Sequence, residues 1–228
     1  MAATTFPLLR SSIGKKAIMA VTGLIGYGFV ILHMIGNLKV FTGREHFDEY
    51  AEFLRVVGAP VFPERSILWL LRIVLLAAVI LHVWMAVSLT RQDASARQVR
   101  YREKKKVQAS FASLTLRWGG IAIFLFLIYH LLHFTIGWSV VHPTFVRGAA
   151  YDNLVAGFLN PLNVLFYLLA TAALGTHLYH GVWSMFQTLG LNGSRTDGLF
   201  RGLAVVSGIG LFLGFAIVPI AVLTGIVG

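Results

Sequence analysis

The sequence predicts an all-α integral membrane protein whose five transmembrane helices form a single membrane domain over residues 1–228. Three observations predict it. Hydrophobic residues make up 57% of the chain and charged residues 12%, with a mean hydropathy of +0.77, too apolar for a soluble domain of this length. Five apolar runs reach the ~18 residues expected of a membrane helix; they lie at about 16–37, 66–90, 111–138, 161–189 and 199–227. The basic residues collect on one side of those runs.

The first run is too long for the apolar stretch of a signal peptide, and no small-residue cleavage pattern follows it, so it is read as a true span. Between the first two runs, Phe47, Tyr50, Leu54 and Val57 recur at helical spacing. That pattern predicts a short amphipathic helix from about His46 to Val57, lying on the membrane surface. The second run leads into the basic segment 91–106. This segment is either an orientation signal among solvent and headgroups or a docking surface for a cytoplasmic partner, and composition does not separate the two. The fourth run opens on Pro161, a residue suited to a helix start, and the fifth holds Pro219 as a tolerated kink. Gly23, Gly26, Gly28, Gly208, Gly210 and Gly214 would let helices approach closely. Trp69, Trp118 and Trp138 fall near span ends, as an aromatic belt requires.

Charge fixes the expected orientation. With the N-terminus inside, the inner segments carry thirteen Lys/Arg against three acids and the outer segments six of each, so the whole net charge of +10 sits on the inner face. The chain is therefore expected to run N-in, C-out. The same distribution argues against nucleic acid as the reason for the positive charge. The absence of cysteine excludes disulfides, iron–sulfur ligation and c-type haem attachment by this chain.

The chemistry rests with histidine. Six of the eight histidines, His33, His82, His130, His133, His177 and His180, lie within the first four runs, and none lies in the fifth. Ionisable side chains inside a membrane are costly and are retained for function. At 1.5 Å per residue, His33 and His130 sit ~9 and ~8 Å outward of the middle of their spans, and His82 and His177 ~6 and ~3 Å inward. Runs one and three thus offer two imidazoles at one depth, and runs two and four offer two at another. Two layers of two imidazoles suit two haems stacked across the membrane, each ligated on both faces with no open position for oxygen. The first four helices would then form a di-haem helix bundle. Spacing leaves two choices open, because His133 follows His130 by three residues and His180 follows His177 by three. A purely structural role for all six, a proton relay and a metal-ion transporter are the competing readings. Against transport, the spans hold almost no Asp or Glu, and no inverted repeat with broken helices is evident.

Several stretches carry a resemblance: SSIGKKAIMAVTG from Ser11, GYGFVILHMIGNL around His33, ILHVWMAV around His82, RWGGIAIFLFLIYH from Arg117 to His130, and THLYHGVWSMFQTLG from Thr176. Taken together they resemble the membrane cytochrome b subunit of succinate dehydrogenase and fumarate reductase, of the single-subunit, five-helix, di-haem cytochrome b558 type. The likeness spans nearly the whole chain and is weaker in the outer loops and the fifth helix. It implies His33 with His130 for an outer, distal haem b, and His82 with His177 for an inner, proximal one. It further implies a flavoprotein with covalent FAD and an iron–sulfur subunit on the cytoplasmic side. Electrons would pass through both haems to a membrane quinone, commonly menaquinone in this type. The location implied is a prokaryotic cytoplasmic (inner) membrane, with a higher oligomer of the complex as an option.

Haem propionates favour basic partners at the membrane edges. Lys15, Lys16 and Arg117 are the inner candidates, Arg44 and Arg55 the outer ones, and His180 is a candidate hydrogen-bond donor to a propionate. The resemblance favours a quinone site at the outer end, near His46, Glu52 or His133, with an inner site near Ser12 and Arg117 as the alternative. Charge moved between the layers crosses part of the membrane potential, worth ~2.3 kcal/mol per 100 mV for a full crossing. The alternative functions are a di-haem cytochrome b of another respiratory complex, such as a hydrogenase or formate dehydrogenase, and a haem-free transporter.

Overall fold

A computed structural model describes residues 11–96 and 109–228. Arg10 and the basic residues Arg97, Arg100, Arg102, Lys104, Lys105 and Lys106 of the inner segment lie outside the described residues. The described residues are 80% helical, and no strand occurs among them. Helix α1 is Ser12–Leu38, continued by a 3-10 turn over Lys39–Thr42; α2 is Arg44–Val56 and α3 is Ser66–Ser95. Helix α4, Ala109–His130, passes directly into a π-helical turn over Leu131–Ile136; α5 is Ala150–Phe158, α6 is Pro161–Thr188 and α7 is Asp197–Leu223. Helices α1, α3, α4, α6 and α7 are long and apolar enough to cross a membrane, which makes the chain a multi-pass membrane protein.

Local chemistry sets the helix ends. Ser11 caps α1 by accepting the Gly14 amide at 3.0 Å, and Asn160 caps α6 by accepting the Leu162 amide at 3.0 Å, with Pro161 as the first helical residue. Helix α3 runs five residues beyond the end expected from apolarity, to Ser95. Apolar composition marks only the length suited to lipid, whereas the backbone ladder continues into the polar residues that follow, where Lys15 reaches Gln92 at 3.3 Å. In the third span the regular α-helix stops at His130 and the π turn ends at Gly137, which has φ +67°. A Cβ on Gly137 would lie 2.0 Å from the Phe145 ring, so both backbone and packing require glycine there.

The amphipathic helix expected between the first two spans is α2. Helix α5 is an element the sequence analysis did not anticipate. Its buried residues Tyr151, Leu154 and Phe158 follow helical spacing and pack with Val40, Val164, Tyr167, Val218 and Val222 into the core at this end of the bundle. Arg44 on α2 pairs with Asp152 on α5, and the Tyr151 amide donates to Asp48 at 2.9 Å, so the two short helices are joined.

Helices α6 and α7 make the most extensive contact in the molecule, and α1 packs beside them and against α3. At the α6–α7 crossing the backbones touch: a Cβ on Gly175 would lie 2.7 Å from the Gly208 carbonyl oxygen. The Tyr27 and Ser207 hydroxyls, 2.6 Å apart, tie α1 to α7. Helix α4 packs on α6, but α1 is not closely packed on α4, nor α3 on α6. The helices that bear facing histidines therefore meet through their side chains and not through their backbones.

Candidate functional site

Two histidine couples form the site. The rings of His33 on α1 and His130 on α4 have centres 5.8 Å apart and planes at 80°. Those of His82 on α3 and His177 on α6 have centres 6.3 Å apart and planes at 61°. Their separation can be read along two helices independently. On α1, the residues that touch His82 are Met19, Thr22 and Gly23, and His33 lies eleven residues beyond Thr22, or ~16 Å. On α4, Gly120 lies against the His177 ring and His130 follows ten residues later, or ~15 Å. The two layers are thus about 15 Å apart along the bundle.

In the His82–His177 layer, called inner after the orientation expected from charge, glycine and main chain frame the rings. His82 Nδ1 lies 3.1 Å from the Met19 carbonyl and 3.3 Å from Thr22 Oγ1. Only a protonated Nδ1 can donate to a carbonyl, so the lone pair of neutral His82 is left on Nε2. The ring edge is close enough to Gly23 that a Cβ there would come within 3.3 Å of it. His177 lies similarly against Gly120, and its buried Nδ1 sits beside the Leu116 backbone without a well-formed hydrogen bond.

In the His33–His130 layer, called outer on the same expectation, the surroundings are aromatic. His33 stacks on Phe29 at 5.2 Å and packs near Phe215 at 6.0 Å. Met34 beside it lies over Gly214, where a Cβ would overlap the thioether and force Met34 to move. His130 packs between Phe126 at 5.8 Å and Phe134 at 6.0 Å, and its Nδ1 is 3.2 Å from the Tyr167 hydroxyl.

The geometry separates the members of each histidine doublet. His130 faces His33, whereas His133 is turned away and fully buried against Phe134, Tyr167 and His142. A three-residue spacing already turns the two side chains apart, as in the regular helix around His177 and His180, and the π turn that begins just after His130 adds to this. The wider turn advances fewer degrees per residue, so three residues fall further short of a full turn. His177 faces His82, while His180, one turn farther along α6, packs on Tyr179 at 4.8 Å.

The remaining candidates are dispersed. Lys16 and Arg117 are exposed at the end of the bundle nearer the His82–His177 layer. Arg44 and Arg55 already have carboxylate partners, Asp152 and Glu52. His46 is exposed and 3.4 Å from Glu49, in an open groove of about 370 Å³ with Lys39, Thr42, Tyr50 and Phe53. His46 and Glu52 are exposed on α2, with Glu49 and Arg55 as partners, whereas His133 is fully buried against Phe134, Tyr167 and His142.

Two residues at the outer layer escaped the sequence analysis. Tyr167 contacts both His130 and His133 through its hydroxyl, and a lone tyrosine in an apolar run was its only sequence signal. His142 lies outside every span yet is 2% exposed, with Nδ1 donating to the His133 carbonyl at 3.1 Å. The loop that carries it is clamped by Asn153, which accepts the Val146 amide at 2.8 Å and donates to the Val146 carbonyl at 2.6 Å. No family model, curated protein or solved structure matches the chain.

Proposed function

We propose that this chain is the di-haem b membrane anchor of a succinate:quinone oxidoreductase, with His33 and His130 as axial ligands in the outer layer and His82 and His177 in the inner. The observation that carries the reading is the spacing of the two couples. An iron held between two imidazoles at about 2 Å per metal–nitrogen bond sets the ring centres roughly 6 Å apart, and the couples measure 5.8 and 6.3 Å. The donor set agrees: imidazole is a standard axial ligand, and His82 presents Nε2 as its lone pair because Nδ1 is committed to the Met19 carbonyl. Four helices each supply one ligand, and α7, which supplies none, closes the bundle against α6.

A b-type haem supplies a one-electron iron couple when bound. His33, His130, His82 and His177 would hold it, leaving no ligand position open to oxygen, and the apolar and aromatic side chains beside them would exclude water. The one-sided charge supports an N-in, C-out orientation in a prokaryotic cytoplasmic membrane. Flavoprotein and iron–sulfur subunits would then dock on the basic inner face, and a quinone, menaquinone in the type resembled, would accept electrons nearer the outer layer.

The test is a reduced-minus-oxidised spectrum with haem quantification on the purified protein. Two b-type haems per chain are expected, and no b-type absorbance would overturn the reading. Co-purification of a flavoprotein and an iron–sulfur protein distinguishes this oxidoreductase from a hydrogenase or formate dehydrogenase cytochrome.

A further inference from the structure

The outer couple is joined to a buried polar cluster that axial ligation does not require. The Tyr167 hydroxyl stands 3.2 Å from His130 Nδ1 and 3.0 Å from His133 Nδ1. A phenol has one proton to give and lone pairs to receive, so the order of protons along this chain can be worked out. On the haem reading above, His130 uses Nε2 for iron, and its Nδ1 carries the proton and donates to Tyr167. The Tyr167 proton must then go to its other neighbour. Tyr129, the nearby phenol, donates instead to Asn163 at 2.9 Å. His133 Nδ1 is therefore the acceptor, and the proton of neutral His133 sits on the buried Nε2. His133 is itself fixed by His142, which donates to its carbonyl, and by α5, where a Cβ on Gly157 would come within 3.1 Å of Nε2.

We infer that Tyr167, polarised by His133, is a positioning residue that sets the electron-donating strength of His130 and so the potential of the outer haem. A hydroxyl that donates to one partner accepts more strongly from another. By drawing on the Nδ1 proton of His130 it makes the imidazole a stronger donor, which favours oxidised iron. The inner layer provides an internal control. His82 Nδ1 is held by a main-chain carbonyl that no side-chain substitution at Tyr167 or His133 removes. The inference rests on the haem reading and goes beyond it, because axial ligation alone assigns no role to Tyr167 or His133.

The test is a spectroscopic redox titration of the purified complex carrying Tyr167→Phe, His133→Phe or both. Each variant should retain two haems. Tyr167→Phe should raise the outer-haem midpoint, increasing the reduced-to-oxidised ratio of that haem at a fixed potential by threefold or more, where tenfold is 59 mV for one electron. The inner haem should not move. His133→Phe should shift the outer haem in the same direction by less, because the first hydrogen bond survives. The double variant should equal Tyr167→Phe alone, as expected for groups acting in series. Two haems with an unmoved outer midpoint, or with both midpoints moving together, would overturn the inference and leave the haem reading standing. Absence of b-type haem from the wild-type protein would overturn both. If Tyr167→Phe fails to assemble, His133→Phe decides the matter by the same criterion.

Discussion

The inner and outer histidine layers solve one geometric problem with different materials. In the inner layer, His82 and His177 lie against glycines, Gly23 and Gly120, and His82 is oriented by the Met19 carbonyl. In the outer layer, His33 and His130 lie against Phe29, Phe126, Phe134 and Phe215, and His130 is oriented by the Tyr167 side chain. A main-chain carbonyl is tied to the helix ladder and remains when a nearby side chain is replaced. A side-chain hydroxyl can be deleted without disturbing the helix that bears it. The inner layer should therefore be sensitive to added bulk, and the outer layer to the loss of polar groups.

The largest expected effect separates the layers outright. His82→Ala or His177→Ala should abolish the inner haem and leave one haem per chain, and His130→Ala should do the same to the outer haem. His133→Ala should retain both, since His133 faces away from His33. Loss of a haem on removing His133 together with retention on removing His130 would reverse the outer assignment.

Added bulk is the next test. Gly23→Leu should displace the His82 ring, whose edge leaves only 3.3 Å to a new Cβ. The overpacking cost of about 1–3 kcal/mol corresponds to roughly a 5- to 150-fold weakening of inner-haem retention, measured as haem per chain after detergent washing. Phe29→Leu on the outer side of the same helix should leave haem stoichiometry intact. Equal losses from the two substitutions would remove the distinction between the layers.

Asn153→Ala probes polar support at the outer end. It deletes both hydrogen bonds to Val146 and should cost about 1–3 kcal/mol. Hydrogen exchange should rise around His142, with no change near His82. The smallest effect belongs to Thr22→Val. It removes a hydroxyl 3.3 Å from His82 Nδ1 but keeps the Met19 carbonyl. Inner-haem potential and occupancy should remain at wild-type values. A clear inner-haem shift would show that the hydroxyl, and not the main chain, orients His82.

Much of this architecture was legible along the chain. The five spans were visible as apolar runs because a bilayer demands uninterrupted length, and α2 was visible as a periodic pattern of Phe47, Tyr50 and Leu54. Helix α5 was missed although Tyr151, Leu154 and Phe158 repeat at helical spacing, because nine residues between two loops fall below the length at which a run stands out. His142 was unreadable as a buried group. Its enclosure depends on the turn at Gly137 and on the Asn153 clamp, neither of which leaves a periodic trace. Arg44 looked available to an anion at the membrane edge, and only the fold brought Asp152 to it across 108 positions of chain.

The sequence by itself determined which helices carry histidine and how far along each helix those histidines lie, since a rise of 1.5 Å per residue converts position directly into depth. It also determined the one-sided distribution of charge. The tertiary structure alone decided which member of each doublet turns toward the histidine of the facing helix and that one hydroxyl joins His130 to His133. The reason is rotational. Spacing fixes a side chain's direction relative to its own helix axis, but the rotation of that helix against its neighbours is set by packing between helices. The π turn after His130 changes even the local angle that spacing would assume.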